Sequence, residues 1–253
     1  MLVIRSILFS FLFYANMIGL VILGLPTLLM SRHAVFGLAR VWGRSSLWLL
    51  RTICGTKVEF RGTERIPAAP FIIAPKHQSI WETFALTLLF GDFSFILKRE
   101  LMFIPFFGWY LWKADQIAID RGKGGAALSQ AALRAQRIFA QGRPLFIFPE
   151  GTRRPAGAPP KYKFGVAHLY DMSGVPCLPV ALNSGLFWAR RSWIRRPGTV
   201  LVEVLEPIAP GLDKQVFFER LQQQLETATD ALIAEAVGHD PSLKRLIQRN
   251  RNA

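Results

Sequence analysis

The sequence predicts an α/β protein built on a mostly parallel sheet flanked by helices and preceded by a membrane-associated helical hairpin. Three observations lead to this prediction. After Gly55, short β-rich runs alternate with helical ones, an order of elements that gives a parallel sheet. The strand runs are nearly all apolar, as expected for a sheet covered on both faces. Before Gly55 the chain is apolar and basic, and its first acidic residue is Glu59.

The overall composition indicates a folded protein with a negatively charged partner. Hydrophobic residues make up 51% of the 253 residues, charged residues make up 19%, and the mean hydropathy is +0.26, which excludes an intrinsically disordered chain. Lys and Arg total 31 against 17 Asp and Glu, a formal net charge of +14. The basic segments are also the most apolar ones, and no nucleic-acid recognition motif occurs. We therefore expect an anionic phospholipid membrane as partner and no nucleic acid.

The two cysteines indicate neither a metal centre nor a disulfide framework. Cys54 and Cys177 lie far apart, and neither belongs to a CxxC motif or has metal-ligand spacing to a histidine. We therefore expect two buried, reduced thiols and no metal site.

The start of the chain predicts a long apolar helix. Residues 6–30 carry no charged side chain, and as a helix they would measure about 37 Å, enough to cross a hydrocarbon core of about 30 Å. The run is longer than the apolar core of a signal peptide, and no small-residue cleavage site follows it. Because Gly24 and Pro26 interrupt the run, a bent or re-entrant helix lying partly in the membrane is the alternative.

Residues 33–54 predict an amphipathic helix. On a helical wheel of about 100° per residue, Arg40, Arg44 and Arg51 lie within about 40° of one another. This pattern favours a helix seated at an anionic lipid interface, and a helix packed on the protein's own core is the alternative. The apolar side chains nearly opposite the arginines are Val35, Leu38, Trp42, Leu49 and Ile53.

Three segments are predicted, with seven strands and five helices in the globular one. The segments are membrane-binding helices (1–56), the α/β domain (57–240) and a basic C-terminal tail with a frayed end (241–253). The predicted strands are 57–60, 71–75, 93–97, 116–119, 145–148, 178–182 and 200–205. The predicted helices are 79–90, a shorter one within 101–112, 125–141, 164–173 and 213–237.

His77 occupies the most informative position of the histidines, after an apolar strand and before a helix. Such junctions are where α/β proteins place active sites. Glu82 lies five positions later, so it can accept a hydrogen bond from the imidazole if His77 lies outside the helix and folds back over its first turn. Alternatively, Ser79 and Glu82 form a capping box, with Glu82 reaching back to the N–H of the N-cap. The two roles are compatible, because both direct the carboxylate to the start of the helix.

A second polar cluster, residues 148–154, follows another apolar strand. Gly151 permits a tight turn close to a ligand, and Arg153 can bind phosphate or carboxylate oxygens. Lys98 and Arg121 end two further strands, so they can converge with Arg153 on one anion. For the cluster taken alone, an exposed turn with solvated charges is the alternative.

Together these clusters resemble the 1-acyl-glycerol-3-phosphate acyltransferase (lysophosphatidate acyltransferase) family over about residues 71–183. Each motif is weak alone, but four occur in the family's order. His77 and Glu82 match its His-x4-Asp motif, and Glu82 departs from it by one methylene, a displacement of about 1.5 Å that can weaken a tight dyad. The further matches are Lys98, Glu100, Leu101, Pro105, Gly108, Ile119, Asp120 and Arg121 to the second motif, Phe148 to Arg153 to Phe-Pro-Glu-Gly-Thr-Arg, and Val175 to Val180 to an apolar fourth motif.

The resemblance implies a glycerolipid acyltransferase-like fold and acyl transfer from a thioester to the 2-hydroxyl of lysophosphatidate, giving phosphatidate in phospholipid synthesis. His77 would be the general base, oriented by Glu82. The residues implied to hold the acceptor's phosphate are Lys98, Arg121, Glu150, Gly151, Thr152 and Arg153.

The resemblance implies no metal and no bound cofactor, because the acyl carrier, coenzyme A or acyl carrier protein, is a substrate. The implied partners are a lysophospholipid, acyl-CoA or acyl carrier protein, and an anionic membrane. The implied location is the cytoplasmic face of a membrane, which in a bacterium is the inner membrane. The alternatives are an acyltransferase for another lysolipid, such as lyso-ornithine lipid, and a non-catalytic lipid-binding relative.

Overall fold

A computed structural model describes residues 1–120 and 124–251. The seven predicted strands are confirmed, each within two residues of its predicted bounds. They are β1 (Thr56–Arg61), β2 (Ile72–Pro75), β3 (Ser94–Lys98), β4 (Ile117–Ile119), β5 (Leu145–Phe146), β6 (Cys177–Leu182) and β7 (Gly198–Val204). The α-helices of the described residues are α1 (Leu2–Leu23), α2 (Arg32–Leu49), α3 (Glu82–Ala85), α4 (Phe107–Lys113), α5 (Gly124–Ala140), α6 (Gly165–Ser173), α7 (Lys214–His239) and α8 (Leu243–Arg251).

The strands form a single sheet in the order β1-β7-β6-β2-β5-β3-β4. Neighbouring strands are parallel except for the antiparallel pair β6 and β7. In the parallel block β2-β5-β3-β4, the carboxyl ends of the strands lie at one edge. Loops that follow these four strands therefore meet at that edge, which is where α/β sheets bind ligands.

Helices cover both faces of the sheet. Alternate residues of β2 point into two separate cores, Ile73 into one and Ile72 into the other, as the two-residue period of a strand requires. The first core includes side chains of α1, α2 and α3, and the second includes side chains of α5, α6 and the first half of α7. Burial on both faces explains why the strands are apolar at nearly every position.

The first two helices form an antiparallel hairpin. The side-chain amide of Asn16 in α1 donates to the Ser45 hydroxyl in α2 (2.9 Å), and the thiol of Cys54 lies 3.8 Å from the carbonyl oxygen of Arg5. The partner of Arg5 comes later in the chain than the partner of Asn16, as expected for two antiparallel segments. α1 ends at Leu23, and Pro26 lies in the 3-10 turn Leu25–Leu29 that follows, so the predicted apolar run is not one straight helix.

The two faces of α1 differ in burial. Phe9 and Phe13 are buried and pack edge-to-face on Trp188. The helix is long and apolar enough to cross a membrane by length and composition, and its outer face indicates membrane association. The exposed residues of that outer face are Val3, Ile4, Ile7, Leu8, Phe11, Tyr14, Ile18, Ile22 and Leu23.

The prediction that the apolar face of α2 contacts lipid is wrong. α2 packs closely on α3, and a side chain at Gly43 would lie 3.0 Å from the carbonyl oxygen of Phe84. This close packing turns the apolar face inward, while Arg44 and Arg51 on the other side stay exposed. The predicted lipid-facing residues that instead lie in or against the first core are Val35, Leu38, Trp42, Leu49 and Ile53.

Residues 241–251 are not the frayed end that was predicted for the C-terminal tail, which corrects a second prediction. Leu243 and Ile247 of α8 are buried against the first core, and they share one helix face because they are four residues apart. Asn250 donates a side-chain hydrogen bond to the Ala156 carbonyl oxygen (2.9 Å). α8 therefore packs beside the loop that follows residues 148–154.

Candidate active site

His77 lies at the carboxyl edge of the parallel strands, two residues after the end of β2. Its ring stacks on Phe148, with the centroids 3.8 Å apart and the planes 20° apart. Phe148 follows β5, which pairs with β2, so the sheet brings the first and third sequence motifs together. The His77 side chain remains 14% exposed, and no hydrogen bond from the described residues engages its Nε2.

The other ring nitrogen of His77 faces Glu82. Nδ1 lies 3.8 Å from Oε2 of Glu82, whose side chain is fully buried. Nδ1 is itself buried and has no hydrogen-bond partner among the described residues. A carboxylate accepts hydrogen bonds only, so this geometry favours the proton on Nδ1 and leaves the lone pair of Nε2 on the accessible side of the ring.

Backbone and side-chain donors hold the Glu82 carboxylate in place. It accepts hydrogen bonds from the backbone N–H of Gln78 (3.1 Å) and of Ser79 (3.0 Å), and from the Ser184 hydroxyl. The bond from the Ser79 N–H to Glu82 is the contact that the capping box predicted, but it caps no helix, because α3 has Trp81 as its N-cap and no side-chain cap.

The predicted helix start at Ser79 is wrong, because α3 begins only at Glu82 and continues into a 3-10 turn, Leu86–Leu88. The Ser79 hydroxyl accepts a hydrogen bond from the Trp81 backbone (3.2 Å). Such side-chain bonds to nearby backbone compete with regular helix, and they hold His77 outside it as the proposed fold-back requires.

The loop after β5 clamps the backbone of His77. A turn in which the Gly151 N–H donates to the Phe148 carbonyl oxygen (2.9 Å) begins this loop, and Gly151 has the positive φ of 66° that favours glycine. The Arg154 N–H donates to the His77 carbonyl oxygen (2.7 Å). Loop residues 148–154 are thereby fixed beside the imidazole.

The Glu150 side chain lies inside the protein, beneath the turn that was predicted to bind the phosphate. Its side chain is fully buried, its Oε1 pairs with Lys76 Nζ (2.9 Å), and its Oε2 accepts the His77 N–H (2.9 Å). Burial raises the pKa of Glu150, and the Lys76 charge and both hydrogen bonds oppose that rise. The carboxylate thus supports the catalytic loop from inside the protein.

Sequence reasoning missed three residues of this buried network. Lys76 Nζ lies 2.6 Å from Oε1 of Glu226 in α7, and 3.4 Å from the Tyr162 hydroxyl, which donates to Glu226 (2.7 Å). Lys76 and Glu226 border a cavity of about 320 Å³ beside the loop. Lys76 could have been noticed as a cation next to His77, but no sequence signal marks Tyr162 or Glu226.

The predicted phosphate-binding cations differ in how far the structure describes them. Lys98 ends β3 at the active-site edge, is half exposed, and pairs with Glu100 (2.8 Å). Arg121 lies outside the described residues. Arg153 belongs to the clamped loop, and its carbonyl oxygen accepts a hydrogen bond from Arg190 (2.8 Å).

Arg153 belongs to a concentrated group of positive charges. Burial lowers the pKa of Arg190, and the charges of Arg191, Arg153 and Arg154 lower it further. None of these four arginines forms an ion pair with a carboxylate of the described residues. Guanidinium groups that repel one another, two of them on the loop that contacts the His77 backbone, can bind a phosphate.

The cysteines and the acidic residues take no part in this arrangement as metal ligands. In the described ranges, no three His, Cys, Asp or Glu side chains form a group able to hold a metal ion. Both cysteines are free and buried, as predicted, and burial raises the pKa of Cys54 to about 11. A buried thiol that stays protonated is a poor nucleophile.

Comparison with known proteins identifies relatives of this chain. A family model described as acyltransferase matches residues 57–183. A 1-acyl-sn-glycerol-3-phosphate acyltransferase of Pseudomonas aeruginosa is 39% identical over 196 residues, 78% of this chain and 75% of that protein. A 1-acyl-sn-glycerol-3-phosphate acyltransferase alpha of Mus musculus is 30% identical over 191 residues, 70% of this chain and 67% of that protein.

One solved structure has the same fold. The crystal structure of the 1-acyl-sn-glycerophosphate (LPA) acyltransferase from Thermotoga maritima matches with a TM-score of 0.76 and covers 92% of this chain and 99% of that chain, at 23% identity. The match confirms the predicted architecture of a mostly parallel sheet with flanking helices. The family model and the 39% identical relative show that the chain is an acyltransferase and that it belongs to the 1-acyl-sn-glycerol-3-phosphate acyltransferase family.

Proposed function

We propose that this protein transfers a fatty acyl group from an acyl thioester to the 2-hydroxyl of lysophosphatidate, which gives phosphatidate. The observation that carries the proposal is the geometry of His77, with Nδ1 facing a buried carboxylate and Nε2 free on the accessible side. A base in this arrangement beside a group of arginines suits an alcohol that carries a phosphate. The names of the relatives support the same acceptor.

In the first step, Nε2 of His77 removes the proton of the 2-hydroxyl while the oxygen attacks the thioester carbonyl carbon. The imidazolium that forms is stabilised by the Glu82 carboxylate at Nδ1. In the second step, the tetrahedral intermediate collapses, the C–S bond breaks, and the thiolate takes the proton back from Nε2. The products are an ester and a free thiol, and the chain itself is never acylated.

The acyl carrier is coenzyme A or acyl carrier protein, and it acts as a substrate rather than a bound cofactor. The phosphate of the acceptor would be held by Arg153 with the turn at Gly151 and Thr152, and by Lys98 and Arg121 from the neighbouring strand ends. The shared sheet edge of β3, β4 and β5 supports this assignment.

The outer face of α1 would seat the protein on an anionic membrane, at the cytoplasmic face, which in a bacterium is that of the inner membrane. The buried face of α1 packs on the α/β domain through Phe9 and Phe13. This packing favours a helix lying along the membrane surface over one that leaves the domain to span the bilayer. The lysolipid acceptor would then reach the site from the same membrane.

The direct test is an assay of purified protein against a panel of lysolipids with both acyl carriers. The proposal expects phosphatidate as the main product with lysophosphatidate as acceptor. A preference for lyso-ornithine lipid would contradict the acceptor, and transfer to none of the lysolipids would contradict the function.

Replacing Arg153 by alanine is expected to raise the KM for lysophosphatidate by about tenfold or more, because a charge-assisted contact to phosphate is lost. The KM for a monoacylglycerol with the same acyl chain should change little. Arg134→Ala, at an exposed arginine of α5, serves as control. An equal effect on both acceptors would show that Arg153 does not bind the phosphate.

Replacing Glu226 by glutamine is expected to lower kcat by about three- to tenfold with KM nearly unchanged. The change removes the carboxylate 2.6 Å from Lys76 Nζ, so the ammonium and its partner Glu150 shift, and with them the His77 backbone. Steady-state kinetics at varied acceptor concentration separate the two constants.

Asp230→Asn is the matched control, because Asp230 is exposed on the same helix and borders the same cavity. It should retain wild-type kcat, and Glu226→Asp should recover part of the loss. Wild-type kcat in Glu226→Gln would show that this network does not position His77.

A further inference from the structure

A second exposed apolar surface lies outside the N-terminal hairpin. Residues 101–112 contain no charged side chain, and they form the end of the 3-10 turn Arg99–Phe103 and most of α4. Monomeric soluble proteins rarely leave so many large apolar groups exposed together. The exposed members of this surface, here called the α4 patch, are Leu101 (37%), Phe103 (70%), Ile104 (45%), Phe106 (42%), Trp109 (54%) and Trp112 (75%).

The backbone of the α4 patch makes a tight turn at Phe106. Phe106 has a φ of 61°, and the Phe107 N–H donates to the Pro105 carbonyl oxygen (2.6 Å), a strained three-residue turn. A Cβ at Gly108 would lie 2.0 Å from the carbonyl oxygen of Met102. Because the chain accepts this strain to place Phe106 against Trp109 on the outside, the exposed rings are a specified feature of the fold.

The α4 patch adjoins the exposed face of α1. Tyr110, on the buried side of α4, donates its hydroxyl hydrogen bond to the carbonyl oxygen of Val21 (2.7 Å). The next two residues of α1, Ile22 and Leu23, are exposed by 52% and 79%. The two apolar surfaces therefore meet where α1 ends.

The charges at the ends of the α4 patch suit an anionic lipid surface. Lys98, Arg99 and Lys113 flank the uncharged run together with one acidic residue, Glu100, which pairs with Lys98 (2.8 Å), so the flanks remain net positive. The Arg99 guanidinium lies over the Phe103 ring at 5.9 Å. Basic residues beside tryptophans are typical of the boundary between headgroups and acyl chains. A run of this length is too short to cross a bilayer, which requires about 20 residues.

We propose that the α4 patch inserts into the interfacial layer of an anionic phospholipid bilayer, as a second membrane contact beside α1. The continuity with α1 and the basic flanks favour lipid over a second protein copy as the occupant. Lys98, three residues before the patch, ends β3 at the active-site edge. Insertion of the patch would thus hold the mouth of the site at the bilayer surface.

The test compares the binding of full-length variants to phosphatidylglycerol vesicles over a series of lipid concentrations. The double variant Trp109→Ser/Trp112→Ser removes the two exposed indoles. The control Leu133→Ser/Val216→Ser removes apolar side chains of similar exposure, 59% and 50%, from α5 and α7. Circular dichroism melting establishes that each variant is folded.

The partition constant of the tryptophan variant is expected to fall by at least about tenfold, since each large apolar side chain that leaves lipid weakens binding by roughly that factor. The control should bind like the wild type. The ratio of turnover on vesicle-embedded to detergent-dissolved lysophosphatidate should fall in the tryptophan variant only.

Equal vesicle binding of wild type and tryptophan variant would overturn the proposal. If the tryptophan variant binds vesicles like the wild type and its mass in solution is half that of the wild type, the patch joins two copies of the chain instead. If the wild type shows no turnover on lysophosphatidate, the proposed function fails, but vesicle binding still decides the role of the α4 patch.

Discussion

Replacing His77 by alanine is expected to lower kcat by about 100- to 10,000-fold, the usual contribution of a positioned general base. The change removes the Nε2 lone pair that would take the hydroxyl proton, and the remaining groups supply no substitute at that place. Initial rates of acyl transfer at saturating lysophosphatidate and thioester measure the effect. The fold should persist, because the ring is partly exposed and lies at the sheet edge rather than in either core.

His168→Ala is the matched control, because His168 is an exposed histidine of α6. It should turn over at the wild-type rate with an unchanged melting temperature. A wild-type rate in His77→Ala would exclude His77 as the base and would leave only the substrate-binding part of the mechanism.

Replacing Glu82 by glutamine is expected to lower kcat by about 100-fold, with a smaller change in the KM of either substrate. The neutral amide cannot stabilise the imidazolium at Nδ1. It also brings an NH2 group into a site where the Gln78 and Ser79 amides and the Ser184 hydroxyl already donate, so the side chain loses its fixed position. Steady-state kinetics with a melting curve measure both consequences.

Two further variants separate the charge of Glu82 from its position. Glu82→Asp keeps the charge and shortens the side chain, so we expect an activity between those of the wild type and Glu82→Gln. Ser184→Ala removes one donor and keeps the carboxylate, so its loss should be smaller than that of Glu82→Gln. Equal kcat in Glu82→Gln and the wild type would show that the carboxylate does not act through His77.

The sheet could be predicted from the sequence because most of its strands are apolar at nearly every position, as burial on both faces requires. Helix ends were less predictable. The start of α3 depends on hydrogen bonds from side chains to nearby backbone at Ser79 and Glu82, which delay regular helix. The tail 241–253 was misjudged from its positive charge, although Leu243 and Ile247 have the spacing of one buried helix face.

The sequence predicted those site residues that lie close to one another within a short motif. His77, Glu82 and Gly151 lie in short segments after strands, and the parallel sheet brings those segments together. Glu226 is 150 positions from its partner Lys76, and its place follows from the packing of α7 on the sheet. Nothing in its own neighbourhood distinguishes it from the other acidic residues of that helix. The inward turn of Glu150 likewise depends on Lys76, a buried ion pair that spacing alone does not indicate.

The role of His77 as general base depends on which ring nitrogen carries the proton in the neutral imidazole. The chain has four histidines, so the ring nitrogens of His77 can be assigned in 15N-histidine-labelled protein by comparison with His77→Ala. We expect the neutral ring to carry its proton on Nδ1, towards Glu82, and to have an unprotonated Nε2. A proton on Nε2 of the neutral ring would contradict it, because that nitrogen could not then accept the hydroxyl proton.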